Sequence, residues 1–114
     1  MKLTGKAKEQ FEAWYLKLIR VQREDYNKFD DYTIIKKFYR SIQSMQWGVI
    51  QDFADSLGYD IIAESTTAQD KYWFTIYTLP ESIIEEKMFD TRQEARNAAI
   101  ENLNELINET YQNK

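Results

Sequence analysis

The chain has 114 residues, of which 43% are hydrophobic, 15% aromatic and 30% charged, with a formal net charge of −4; this describes one ordered globular domain spanning residues 1–114 and excludes disordered and fibrous chains. It contains neither cysteine nor histidine, so disulfides, thiol nucleophiles, the usual zinc, nickel and copper sites and most neutral-pH acid–base catalysis are excluded, and a non-enzyme without cofactor or metal is expected. No run of ~18 apolar residues suggests a membrane span, and the charged opening MKLTGKAKEQFEAW lacks the apolar core of a leader, so a cytoplasmic protein without a membrane partner is expected.

Thr4 stands where it can cap a first helix, over residues 5 to about 22, whose apolar positions Ala7, Phe11, Trp14, Tyr15, Leu18 and Ile19 recur at helical spacing. REDYNKFDDY, residues 23 to 32, mixes acids, bases and aromatics without period and reads as a connection. A stripe of Ile34, Ile35, Phe38, Ile42, Met45, Val49, Phe53 and Leu57 then continues at near-helical period. It is compatible with one long helix or with two broken near Ser41–Ser44, where a serine can cap the second. Trp47 lies about half a turn off the Met45–Val49–Phe53 line at ~100° per residue. Gly48 costs ~1 kcal/mol in a helix interior and implies the close approach of a backbone or a large ring. Gly58, just after Leu57, is placed as a left-handed C′ cap.

Past Gly58 the period shortens. YDIIAEST, KYWFTIYTL and SIIEEKMF, separated by TAQD and PE, predict three strands in an antiparallel meander. In the second of them Tyr72, Phe74, Ile76 and Thr78 share one face and Trp73, Thr75 and Tyr77 the other. Thr91 followed by Glu94 forms a capping box for a last helix, with Ala95, Ala98, Ala99, Leu103, Leu106 and Ile107 as its apolar stripe. The expected fold class is α+β: one or two N-terminal helices, a three-stranded meander and a C-terminal helix on the sheet, in the order α-α-β-β-β-α.

Charge is unevenly placed. Residues 1 to 40 hold ten Lys/Arg against six Asp/Glu, a net of +4, and residues 41 to 114 hold five against thirteen, a net of −8. The basic set on the first helix is Lys6, Lys8, Lys17, Arg20 and Arg23, of which Lys6, Lys17 and Arg20 can share a face, with Glu9, Glu12 and Glu24 interspersed. Asp52, Asp55 and Asp60 can bring oxygens together but do not match a calcium loop, and surface carboxylates are the plainer reading. No phosphate-cradling glycine motif and no nucleophile elbow occurs.

The α-β-β-β-α order of the last elements, with TRQEARNAAI opening the final helix, resembles the double-stranded-RNA-binding domain. That resemblance implies phosphate contacts at Arg92 and Arg96, with Gln93 where the family has a third basic residue. The chain departs from the family in having no Gly-Pro-x-His loop and in the acidic balance of the segment. The blocks AKEQFEAWYLK, SMQWGVIQDFADSLGYDI and FDTRQEARNAAIENLNELIN together resemble small uncharacterised proteins encoded by phages and prophages of Bacteroides and its relatives. This second resemblance implies a phage or mobile-element origin, the cytoplasm of a bacterial host and an α+β domain, and carries no activity.

Two functions follow as expectations. One is a non-catalytic protein-interaction module, a phage accessory protein meeting a host or phage protein through aromatics drawn from Trp14, Trp47, Trp73 and neighbouring tyrosines. A variant of it is an acidic mimic of nucleic acid that occupies a host defence protein. The other is a nucleic-acid-binding accessory factor using Lys6, Lys17, Arg20 and Arg23, or Arg92 and Arg96. A homo-oligomer is compatible with either.

Overall fold

The computed structural model describes residues 3–65, 71–78, 82–84 and 88–112, with 82–84 and 111–112 described by backbone alone. Three α-helices come first: α1 (Gly5–Gln22), α2 (Asp31–Tyr39) and α3 (Gln43–Ser56), with a 3-10 turn, Glu24–Lys28, between α1 and α2. The strands β1 (Asp60–Ser65) and β2 (Tyr72–Tyr77), the short β3 (Ser82–Ile84) and the helix α4 (Arg92–Gln112) follow. The α+β class holds, but the expected α-α-β-β-β-α arrangement is corrected at both of its ends.

The first correction concerns the helices. What the sequence offers as one or two N-terminal helices is three, because the segment expected to be a connection winds into the 3-10 turn and then enters α2, where Asp30 accepts a hydrogen bond from the Thr33 N–H at 2.8 Å. Arg20 ties this turn down: its guanidinium donates to the Tyr26 and Phe29 carbonyls and to Asp31. The apolar stripe after Ile34 breaks at Arg40–Ile42. No serine caps α3; Ile42 occupies its N-cap without a side-chain bond, while the Ser41 hydroxyl donates to the Phe38 carbonyl. Gln46 closes the end of α2, its buried amide donating to the carbonyls of Phe38, Tyr39 and Ser41 at 2.9–3.2 Å.

That break also turns α3 about its axis. Ile42 and Met45, expected in the stripe, are 71% and 53% exposed, while Gln46, Trp47, Ile50, Phe53 and Ala54 are buried. Gly48 is corrected as well, since a Cβ built there meets nothing within 4 Å and no backbone or ring approaches it. Gly58 does what its position implies: φ is +89°, its N–H reaches the Asp55 carbonyl at 3.0 Å and the Tyr59 N–H reaches Ala54 at 2.9 Å, a Schellman ending.

The second correction concerns the sheet. A meander of three full strands does not form: β1 and β2 pair antiparallel over six residues, from Asp60 opposite Tyr77 to Ser65 opposite Tyr72, and the two make a two-stranded ribbon. The third segment adds three residues at its edge, with Ile84 opposite Thr75. A continuous register would then bring residue 87 opposite Tyr72, yet Phe89 stands there, its N–H and carbonyl both bonded to Tyr72. The pairing of Ile84 and that of Phe89 thus differ in register by two residues. The connections expected at TAQD and PE lie outside the described residues.

The core forms between the ribbon, on which α4 lies, and the helices α1, α2 and α3. Phe11 is at its centre, ring to ring with Phe38 at 5.0 Å and Phe53 at 5.3 Å, and with Tyr15 and Trp14 beside it. Phe74 and Ile76 of β2, Ile61 of β1 and Ala95, Ala99, Ile100, Leu103 and Ile107 of α4 complete it. The alanines let α4 lie close to the sheet, and each fully buried large side chain contributes roughly 1.5–3 kcal/mol. α4 starts at Thr91, whose Oγ1 accepts from the Glu94 N–H at 3.1 Å. The Glu94 carboxylate turns back to the Thr91 hydroxyl rather than to its backbone.

Candidate functional site

Among the described residues the helices lie on one side of the ribbon, and the period of two decides which residues stand on the other. Phe74 and Ile76 point into the core; Trp73, Thr75 and Tyr77 stand on the opposite face, joined by Ile62, which pairs with Thr75. Ile62, Trp73 and Tyr77 neither belong to the hydrophobic core nor pack against it. Tyr77 is 46% exposed and Trp73 half-buried. Thr75, in the middle of the face, is buried between its neighbours on β1 and β3. Across the strands Trp73 stands opposite Glu64 and Tyr77 opposite Asp60, so each aromatic has a carboxylate residue at its side.

The three tryptophans expected at an interface are therefore not together. Trp14 packs against the core, its ring 5.5 Å from Phe53. Trp47 is 6% exposed and belongs to the core. Trp73 is the one on the outer face. Tyr77 falls among the tyrosines neighbouring Trp73, which the alternation of KYWFTIYT sets on the same face; Ile62 was not singled out.

The basic residues of α1 are largely matched within the chain. Lys6 bonds Glu9 at 3.2 Å, Arg20 bonds Asp31 at 2.7 Å, and Arg23 bonds Asp25 at 3.3 Å. The last pair raises the Arg23 pKa and lowers that of Asp25, in each case chiefly through the side-chain hydrogen bond. Lys17 is exposed. The Tyr39 hydroxyl donates to Glu12 at 2.9 Å, and burial followed by that carboxylate holds its pKa well above the ordinary phenol value.

Arg92 and Arg96 sit elsewhere, on α4. The Arg92 guanidinium carbon lies 5.4 Å from the Tyr72 ring centroid, and that of Arg96 lies 5.6 Å from the ring of Trp47. An open groove of about 360 Å³ runs between Met88–Asp90 and α4, with Glu94 and Glu101 on its rim. Two of its carboxylates are engaged, Asp90 by Lys71 and Glu94 by Thr91. Among the described residues no group of three or more acids is placed to hold a metal ion, so Asp52, Asp55 and Asp60 do not converge, and no described helix is long and apolar enough to cross a membrane.

No protein-family model, curated protein or solved structure matches the chain.

Proposed function

We propose that this chain is a non-catalytic protein-interaction module, an accessory protein of a phage or mobile element, and that its partner docks on the outer face of the β1–β2 ribbon. The observation that carries the reading is a sheet face that the described helices do not cover: Tyr77 is exposed there and Trp73 and Ile62 are half-buried, all three outside the hydrophobic core. Tryptophan and tyrosine are the residue types that anchor protein interfaces, since each covers a large area with few rotatable bonds and keeps a polar tip for the rim. Asp60 and Glu64 flank these rings, so the partner surface that fits is apolar at its centre and basic at its edge. The lack of histidine and cysteine agrees with a role in binding rather than in chemistry. The pairing of Lys6, Arg20 and Arg23 with acids of the same chain weakens the field that α1 would need to hold nucleic acid.

The test is site-specific photo-crosslinking in bacterial cells. Benzoylphenylalanine in place of Tyr77 should give a discrete adduct with a second protein that is lost on Trp73→Ser. The same probe at Val21, 76% exposed and on α1, should give none. No protein adduct at position 77, or the same adducts at both positions, would overturn the reading.

A further inference from the structure

The outer side of α2 carries cations and an aromatic ring, and no acid. At ~100° per residue, Tyr32, Lys36, Lys37 and Arg40, the last being the residue that caps the helix, fall within about 140° of one another, opposite the buried Ile34 and Phe38. All four are exposed, Tyr32 to 71%. Lys28, at the end of the 3-10 turn, joins them through Phe29: its Nζ lies 5.3 Å from that ring, and the Nζ of Lys37 lies 4.9 Å from it and 5.2 Å from the ring of Tyr26. The Nζ of Lys36 lies 5.4 Å from the ring of Tyr32. The turn that presents Tyr26 and Phe29 is itself fixed, because Arg20 donates to both of their carbonyls. Rings hold these ammonium groups in place, but they supply no full negative charge.

None of Lys28, Lys36, Lys37 and Arg40 has an ion-pair partner among the described residues. The nearby acids are engaged elsewhere: Asp25 by Arg23, Asp31 by Arg20, Asp30 by the Thr33 N–H and Glu12 by the Tyr39 hydroxyl. Glu24 stands at the opposite end of the turn from Lys28. A protein interface calls for an apolar centre, and the outer side of α2 has no aliphatic side chain to provide one. A surface that is polar, positively charged and bears an exposed ring is instead of the kind that takes nucleic acid.

We propose that the outer side of α2 binds single-stranded nucleic acid, with a base stacked on Tyr32 and the adjoining phosphates on Lys36, Lys37, Arg40 and Lys28. Stacking on an exposed ring needs a base whose face is free, which selects single strands over a duplex, and it tolerates any sequence because every base has a π-face. The chain as a whole is at −4, but at ~0.1 M salt charges more than about 10 Å away are largely screened, so the local sign decides. This surface is distinct from the basic set on α1 and from the outer face of the ribbon, and it does not rest on the protein-interaction reading.

The test is fluorescence anisotropy of labelled oligothymidylate and oligouridylate titrated with the full chain at several salt concentrations. Both should bind, and with about three phosphates engaged the plot of log affinity against log salt should have a slope of about −2. Lys36→Gln combined with Arg40→Gln should cost roughly tenfold or more at low salt and flatten that slope. Tyr32→Ala should also cost roughly tenfold but leave the slope unchanged, since it removes a stacked base and no phosphate contact. Lys17→Gln, exposed on α1, should change neither. No binding at low salt, a duplex bound as tightly as a single strand, or oligoglutamate competing as well as oligothymidylate would overturn the proposal. So would Tyr32→Ala titrating like the parent chain, or Lys17→Gln costing as much as the pair on α2.

Discussion

Gly48 sits in the interior of α3 with a half-buried backbone and open space where a Cβ would go. Nothing in the fold requires a glycine there, and the helix bears its backbone entropy without a packing return. Gly48→Ala should therefore stabilise the chain by about 1 kcal/mol, read as a rise in thermal midpoint of roughly 4 °C or more for a domain of this size. A fall would mean that the position is crowded after all. The expectation of a close approach at Gly48 came from residue type alone, and type cannot say whether a glycine makes room or merely occupies it. Gly58 was legible because its neighbours fix the answer: it follows the last turn of a helix, and the left-handed C′ conformation is one that glycine enters without strain. Trp47 was ambiguous for a related reason, since its place off the Met45–Val49 line is met equally by a second packing partner and by the surface, and the structure gives it the first: it is buried in the core.

At the scale of elements, what the period of hydrophobic residues encodes was readable, and what side-chain hydrogen bonds decide was not. α1 and α4 were legible from their stripes, and so was the alternation of β2. The ends were not. Thr4 occupies the N-cap of α1 as expected, yet its hydroxyl caps nothing on the helix. Two asparagines of α4 do that work from a hundred residues away: Asn104 Oδ1 accepts from the Thr4 N–H at 2.7 Å, and Asn108 Oδ1 accepts from the Ala7 N–H at 3.0 Å while its amide donates to the Thr4 carbonyl. Gly5, at φ +57°, lies so close to Asn108 that a Cβ would be 3.2 Å from its Oδ1, so here the glycine is required. Asn108→Ala strips partners from one N–H and one carbonyl where α1 meets α4, and should cost about 1–2 kcal/mol. Hydrogen exchange should show faster opening of the first turn of α1, with β2 little changed; uniform loss of protection would instead mean that the contact supports the whole domain. The break between α2 and α3 was one of two alternatives the stripe left open near Ser41–Ser44, but what holds it was hidden: Gln46 completes it by reaching back to three carbonyls, and no local signal marks a glutamine for that role.

For the whole molecule, the division of aromatic residues between core and surface is the result that bears on function. Composition announced a surplus of rings, and helical spacing correctly placed Phe11, Phe38 and Phe53 inside. The site was less legible than the core. Which tryptophan remains outside depends on the side of the ribbon that the helices cover, and that is settled only when α4 packs on Phe74 and Ile76. The third strand was overestimated because SIIEEKMF has strand composition throughout, whereas pairing depends on register, which slips between Ile84 and Phe89. What the ribbon then offers is an open face bearing Trp73 and Tyr77, with Trp14 and Trp47 committed to holding the helices together. The most direct test is the broadening of the three indole N–H signals by a soluble, uncharged paramagnetic probe. An open outer face predicts that Trp73 is broadened far more than Trp47. A Trp73 signal as protected as that of Trp47 would contradict the account, because the outer face would then already be covered and have no surface to give a partner.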